Sequence, residues 1–266
     1  MSSLVTQPVS STEGRILDLS YPNAFQNLAL EEALAKSNLG SSITVRLWEN
    51  PPSVILGRFQ NPTDEVNIGF CNSMSIKIAR RFTGGGAVYH DLGNLNFTIA
   101  GPRPKNCSVS KLHNDYAGII LGALKAFGID GNFAPPNSIE VSGKKISGGA
   151  AWMGRQNMLW HASILVSTNT QILTQILSPS TTLRSTNFVR SKKQVVTTLE
   201  QVVGKSADLT AVKRELIDNC VRRLGFQPQN APLTENETSS MMRLFAEKYS
   251  KDDWNLHGHW GDQQKK

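Results

Sequence analysis

The stretch Arg80-Arg81-Phe82-Thr83-Gly84-Gly85-Gly86-Ala87-Val88-Tyr89-His90-Asp91, followed after Leu92 by Gly93-Asn94-Leu95-Asn96-Phe97-Thr98, decides the fold. Short apolar runs lead into the glycines over residues 76–80 and out of them over 87–90 and 95–100. The pattern predicts strand, glycine turn, strand, turn, strand, with no helix between. A P-loop would need Gly-Lys-Ser/Thr after the glycines, and a dinucleotide fold would need GxGxxG opening a helix; neither is present. Three consecutive glycines are costly to order. They are tolerated where the backbone needs positive φ, or where a ligand lies directly on the main chain and its N–H groups cradle a phosphate or carboxylate. Arg80 and Arg81 offer forks of donors to such an anion, and neighbours in a strand face opposite sides, so one of them is expected to face the site. Taken alone, the triplet also fits a flexible hairpin turn with two solvated arginines.

Outward from this block, residues 15–19 alternate like a strand, and 24–36 place Phe25, Leu28, Ala29 and Glu32 at helical spacing. Residues 43–48 and 53–57 suggest two strands joined by Glu49-Asn50-Pro51-Pro52, and 64–74 a short helix. The clearest amphipathic helix is 110–127, with Leu112, Tyr116, Ile119, Ile120, Leu124 and Phe127 on one stripe. Short strands are expected near 139–141, 145–146 and 160–166, and a helix over 171–177 before Pro179. Residues 180–193 lack periodicity and suggest a mobile loop, and helices at 209–224 and 235–249 close the chain. Strands outnumber helices without regular βαβ alternation. The expected class is therefore α+β, a mixed, largely antiparallel sheet flanked by helices. The expected organisation is a flexible tail over 1–13, one domain over 14–255 and a second tail over 256–266.

The 266 residues are 39% hydrophobic and 18% charged, enough for a substantial core. No run approaches the roughly 18 apolar residues of a membrane span. The start, polar and rich in Ser and Thr with no Arg or Lys before Arg15, resembles neither a secretory signal nor an Arg-rich transit peptide. Net charge is +7, from 28 Lys and Arg against 21 Asp and Glu. Such a charge suits a nucleotide, an acidic protein or nucleic acid. No RNP-type motif, zinc finger or long basic run supports the last, so neither nucleic acid nor membrane is expected as a partner. Cys71, Cys107 and Cys220 form no CxxC pair, and no metal ligands are assigned. Three separated thiols fit a reducing cytoplasm.

Two further segments carry chemistry. In Ser142-Gly143-Lys144-Lys145-Ile146-Ser147-Gly148-Gly149-Ala150-Ala151 a lysine stands in a short strand between glycine-bearing turns. Held there, it could stabilise charge on a phosphoryl group and on the acyl oxygen of a mixed anhydride; an exposed hairpin tip explains the same residues. In Leu159-Trp160-His161-Ala162-Ser163-Ile164-Leu165, His161 interrupts an apolar strand, a placement equally suited to a satisfied core histidine. His257 and His259 stand i, i+2 in a glycine-containing tail with no third metal ligand nearby.

Together these segments resemble the lipoate–protein ligases of the biotin/lipoate ligase superfamily. Residues 80–98 are similar to that family's RRxxGGGxVxHDxGNxNxT block, 142–150 to its GxKxSGxA block, and 160–165 to its WHAxLL block. Asn27-Leu28-Ala29-Leu30-Glu31-Glu32 resembles its N-terminal helix, residues 52–62 its SVxIGRxQNP block, and 248–255 its KYxxxxWN block. The resemblance spans about residues 14–255 and keeps all six motifs in order. It implies a sheet flanked by helices with a groove for lipoyl-adenylate, formed from lipoate and ATP with Mg²⁺ on the triphosphate. It implies that Lys145 is the essential lysine contacting phosphate and acyl carbonyl. It implies that Arg81, Gly84, Gly85, Gly86 and Ala87 line the lipoate and phosphate site, with Ser147 and Gly148 beside the lysine. His161 would flank the acyl tail, and Asn94 and Asn96 would lie near the nucleotide. Arg184 and Arg190 would contact phosphate from an adenylate-binding loop. The implied partner is a lipoyl carrier: a lipoyl domain, the glycine-cleavage H protein or a specialised lipoate-binding protein.

Two departures stand out. The family's Asn-Asp before the lysine block is Asn137-Ser138 here, and only residues 256–266 follow the KYxxxxWN block, where many members carry a small further domain. The expectation is a catalytic domain served by a separate small subunit. Octanoyltransferases use a cysteine near or after the lysine block, and none lies between Cys107 and Cys220, which argues against a thioester intermediate. A lipoyl-AMP-dependent transferase needs no cysteine and remains open. Biotin ligation fits the motifs less well. Lys145, the glycine triplet and His161 together argue against a non-catalytic carrier-binding module. No residue is assigned as base for the acceptor lysine.

Overall fold

The computed structural model describes residues 12–37, 42–177 and 188–260. Arg184 and most of the two expected tails lie outside these residues. The chain enters through β1 (Thr12–Asp18), helix α1 (Ala24–Lys36) and β2 (Ile43–Trp48). Asn23 caps α1 by accepting the Gln26 N–H at 2.8 Å. Then come β3 (Ser53–Leu56), two short helices α2 (Pro62–Glu65) and α3 (Ile68–Ser73), β4 (Lys77–Arg80) and β5 (Val88–His90). In a separate three-stranded sheet β3 lies between β4, parallel, and β5, antiparallel. The glycine triplet is the connection from β4 to β5.

The chain continues through β6 (Asn94–Pro102), α4 (Val109–Ala126), β7 (Asn132–Ala134), β8 (Ser138–Val141), β9 (Lys144–Met153) and β10 (Asn157–Leu165). Helices α5 (Thr170–Ile176), α6 (Leu199–Val203) and α7 (Leu209–Leu224) precede β11 (Phe226–Asn230). Helix α8 (Glu235–Leu244), a π-helical turn (Phe245–Tyr249) and α9 (Asp252–Asn255) follow. The large sheet has the order β11-β1-β2-β6-β10-β9-β8-β7. Only β11-β1 and β1-β2 are parallel in it, so the expected mixed, largely antiparallel sheet is what forms.

Alternation along β6 and β10 assigns the two faces. Leu95, Phe97, Ile99, Trp160, Ala162 and Ile164 join one core with α4 and α7. Each large apolar side chain buried there contributes about 1.5–3 kcal/mol. Ala100 and Leu159 join a second core with α1 and the C-terminal helices, and Asn94, Asn96, Thr98 and His161 share that second face. Helix α1 is buried nearly all round, including Asn27, Glu31 and Glu32. A helix covered on every side must satisfy its polar groups internally, and here they become the supports of a cleft.

Several local expectations differ from the structure. Residues 43–48 and 53–56 are not one hairpin, since Pro51-Pro52 carry the chain from the large sheet to the small one. The single helix expected over 64–74 is two, because the Asn67 side chain caps a new start by accepting the Phe70 N–H. Strand β9 runs ten residues through Gly148-Gly149, far beyond the two expected. Strands β7 and β11 and helices α6 and α9 carry too little periodicity to be expected. Residues 256–260, expected as tail, fold back, with the N–H groups of Gly258 and His259 donating to Trp254 and Asp253 carbonyls.

Candidate active site

The two neighbouring arginines separate as strand alternation requires. The buried Arg80 guanidinium donates to the carbonyls of Gly57, Arg58, Gln60, Trp254 and Leu256. It joins the turn after β3 to the C-terminal helices and takes no part in the cleft. Arg81 points the other way. Its Nε donates to Thr83 Oγ1 at 3.0 Å, and Nη2 to the carbonyls of Gly84 and Gly86 at 2.6 and 2.8 Å. The guanidinium therefore holds the glycine turn in shape. Burial brings both arginines down to about 10, which leaves them cationic at neutral pH.

The turn needs glycine for space. Gly85 has φ +93°, and a Cβ on Gly57 would fall 2.0 Å from the Gly85 carbonyl oxygen. Gly84 and Gly85 shape the loop, whereas Gly86 and Ala87 line the cleft.

Behind the turn lies a buried chain of polar groups. Arg46, fully buried, donates to Glu31 at 3.0 Å; His161 Nδ1 meets the other Glu31 oxygen at 3.0 Å, and His161 Nε2 meets Thr83 Oγ1 at 2.9 Å. Thr98, opposite His161 on β6, also donates to Glu31. Burial pushes the Glu31 carboxyl up, but the His161 bond and the Arg46 charge more than offset it and hold it below the usual carboxylate range. His161 thus spends both ring nitrogens on the protein.

The cleft has two lobes that meet at Lys145. Lys145, Gly148, Ser163 and Ser191 line both. The inner lobe is closed by Leu28, Trp48, Ile55 and His90 and also touches Arg81, Asn96, His161 and Arg190. The outer lobe includes Tyr89, Ser147, Leu165 and Leu173. Lys145 is held by its backbone: its N–H donates to the Val195 carbonyl, and its carbonyl accepts from Thr197. Its Nζ donates to Gln194 Oε1 at 3.1 Å. Burial first, then the Arg81 charge, lower its pKa against a weaker pull from Glu140. A Cβ on Gly148 would sit 2.7 Å from Lys145 Cε, so that glycine gives the lysine its path. Asn94 donates to Asn96, while Asn94 Oδ1 and Asn96 Nδ2 are buried without partners. Asn96 lines the inner lobe; Asn94 stands behind it.

Residues 23–221 match the family described as lipoyl protein ligase A/B catalytic domain. The chain belongs to this family. Lipoate-protein ligase A subunit 1 of Thermoplasma acidophilum is 31% identical over 256 residues, covering 92% of this chain and 97% of that one. The solved structure of a bipartite lipoate protein ligase, studied with its E2 lipoyl domain from the same archaeon, is 27% identical at a TM-score of 0.84, covering 95% of this chain and 99% of its own. A crystal structure of lipoate-protein ligase A bound with ATP has a TM-score of 0.83 at 29% identity, covering 93% and 100%.

Three cleft residues of this lipoyl protein ligase A/B domain, Glu65, Ser191 and Gln194, belong to no motif legible in the sequence. Ser191 Oγ accepts the Ala87 N–H at 2.9 Å and the Gln60 side-chain amide at 3.0 Å, and Ser191 N–H donates to Glu65. Gln194 receives Lys145. These partners lie more than 45 residues apart in sequence and carry no periodic signal. Only Gln60, inside the SVxIGRxQNP block, could have been flagged.

Proposed function

We propose that this chain is the catalytic part of a lipoate–protein ligase, which activates lipoate with ATP and passes the lipoyl group to a lysine of a carrier protein. Lys145 carries this reading: it stands where two lobes meet, close enough to Arg81 for that charge to lower its pKa. The inner lobe, walled by Leu28, Trp48 and Ile55, suits an acyl chain, and the outer lobe suits the adenylate. A lipoate carboxylate oxygen attacks the α-phosphorus of ATP, the C(O)–O–P bond forms, and the bond to pyrophosphate breaks. The carrier amine then attacks the acyl carbon, the amide C–N bond forms, the C–O bond to AMP breaks, and the amine proton is released. Lys145 would lower both barriers by meeting charge that develops on the phosphoryl and acyl oxygens.

Among the described residues no group of three His, Cys, Asp or Glu could cage a metal ion, and Glu65 is the sole carboxylate lining the cleft. Mg²⁺ would enter with the triphosphate, its coordination completed by phosphate oxygens and water. Similarity to a ligase subunit 1 over 97% of that relative's length, and to the solved bipartite ligase studied with its E2 lipoyl domain, supports a small accessory subunit and a lipoyl-domain carrier. The glycine-cleavage H protein and a specialised lipoate-binding protein are further candidate carriers. Among the described residues no helix is long and apolar enough to cross a membrane, and the three cysteines are buried and free, which supports a reducing cytoplasm.

The test incubates the chain with an apo lipoyl domain, an apo H protein or an apo lipoate-binding protein, each with either lipoate, Mg²⁺ and ATP or pre-made lipoyl-AMP, then weighs the carrier. Labelling in both tubes means a self-sufficient ligase. Labelling with lipoyl-AMP alone means a transferase or a ligase awaiting its second subunit. No labelling of any of the three carrier types contradicts the reading.

A further inference from the structure

The inner lobe contains two histidines, and only one has a nitrogen to spare. His161 has both ring nitrogens engaged, Nδ1 with Glu31 at 3.0 Å and Nε2 with Thr83 Oγ1 at 2.9 Å. His90 is 4% exposed and bonds through Nδ1 alone, at 2.9 Å from the Asn50 side-chain amide. Nε2 of His90 has no hydrogen-bond partner among the described residues, and the residue lines the inner lobe beside Trp48.

A relay that begins at the backbone sets where the His90 proton resides. The Tyr21 N–H can only donate, and it donates to Asn27 Oδ1 at 2.8 Å, as does Arg46 at 2.6 Å. The Asn27 amide nitrogen must therefore face Asn50, donating to its Oδ1 at 2.8 Å. This turns the Asn50 amide nitrogen toward His90, whose Nδ1 can only accept. Burial, then the charges of Arg81 and His161, bring the ring down to about 3, so it stays neutral at physiological pH. A neutral ring that accepts at Nδ1 carries its proton on Nε2. The consequence is one fixed N–H donor in the lining of the inner lobe, which also carries the apolar Leu28, Trp48 and Ile55.

We propose that His90 is the specificity-determining residue of the acyl lobe, and that its Nε2–H donates to a sulfur of the dithiolane ring of lipoate. This rests on the lipoate reading above. An all-carbon chain of the same length, octanoate, offers that donor nothing and leaves a desolvated N–H unpaired. The site then prefers lipoate through a polar contact as well as through shape. Sulfur is a weak acceptor, so the preference from this contact is modest.

The experiment measures binding of lipoate and of octanoate by calorimetry to the wild-type chain, His90→Leu and His90→Gln. The expected result is that His90→Leu weakens lipoate about fivefold with octanoate little changed, and that His90→Gln, which keeps a donor, restores most of the preference. Should His90→Leu not fold, His90→Phe keeps a ring against Trp48 without the donor and is expected to lose the preference likewise. Equal weakening of both acids, or an unchanged lipoate-to-octanoate ratio, overturns the proposal while leaving the lipoate reading intact. Binding of neither acid by the wild type overturns the lipoate reading itself.

Discussion

Glu31 and Glu32 are neighbours on one buried helix, yet each anchors a different half of the molecule. Glu31 faces the large sheet, where Arg46, Thr98 and His161 converge on it behind the cleft. Glu32 faces the C-terminal helices, where Lys248 Nζ lies at 2.7 Å and the Tyr249 hydroxyl at 2.5 Å, with Lys36 closing the group. Lys248 also stands 3.7 Å from the centre of the Trp254 ring, whose indole N–H donates to the Arg80 carbonyl. The chemistry of the two clusters is alike, buried carboxylate against buried cation. Their positions differ: the first ends at Thr83 and the glycine turn, the second at Arg80 and the joint behind that turn. Charge buried in a core is therefore no mark of catalysis, and what separates the two is whether the chain of bonds reaches the cleft.

That distinction yields predictions of decreasing size. On the cleft side, Lys145→Ala should slow lipoyl transfer about 10²–10³-fold with the melting temperature nearly unchanged, because among the described residues the side chain makes a single hydrogen bond, to Gln194. A large loss of stability in that variant would erase the contrast between the halves. On the clamp side, Lys248→Ala leaves Glu32 without its buried cation, with only the half-exposed Lys36 still beside it, and should cost about 3–5 kcal/mol in chemical denaturation. Activity per folded molecule should stay near wild type, and assaying below the denaturation midpoint checks it.

A third prediction concerns pH. Lys248 is lowered to about 8, chiefly by burial, against the attraction of Glu32. The unfolded chain therefore binds a proton that the folded chain lacks between about pH 8 and the ordinary lysine value, and this residue's contribution to stability rises with pH across that window. Denaturation of the wild type and Lys248→Met at pH 7.5 and 9.5, values chosen on the order of that window's edges, should show the rise only in the wild type. The smallest effect is expected at Gly148→Ala. The added methyl would displace only the flexible end of Lys145, so transfer should fall about tenfold while stability changes by less than about 1 kcal/mol.

The sequence made some of this legible for identifiable reasons. The turn at the glycine triplet and the opposed faces of Arg80 and Arg81 follow from local pattern, whereas Lys145 is singled out only by the family resemblance; helices α1 and α7 have the bounds that their spacing predicts. What local pattern lacks is pairing between distant segments. Strand β11 forms because it lies parallel to β1, and Lys145 is fixed by residues 195–197; neither contact has a periodic signature. Asn27 in a helix motif and Asn50 in a proline turn carry no sign of pairing in the sequence, yet together they form the relay that orients His90. His161, conspicuous in an apolar strand, has both nitrogens bound by the protein, whereas His90, inside the glycine motif, keeps Nε2 without a partner among the described residues.

The central claim is that Lys145 acts on the acyl-adenylate from the junction of the two lobes. A single-turnover experiment tests it most directly: pre-made lipoyl-AMP and apo lipoyl domain are mixed with wild type or Lys145→Ala, and the carrier mass is followed in time. The account predicts rapid appearance of the lipoylated carrier with wild type and a rate about 10²–10³-fold lower with a folded Lys145→Ala. Equal rates from the two proteins would contradict it.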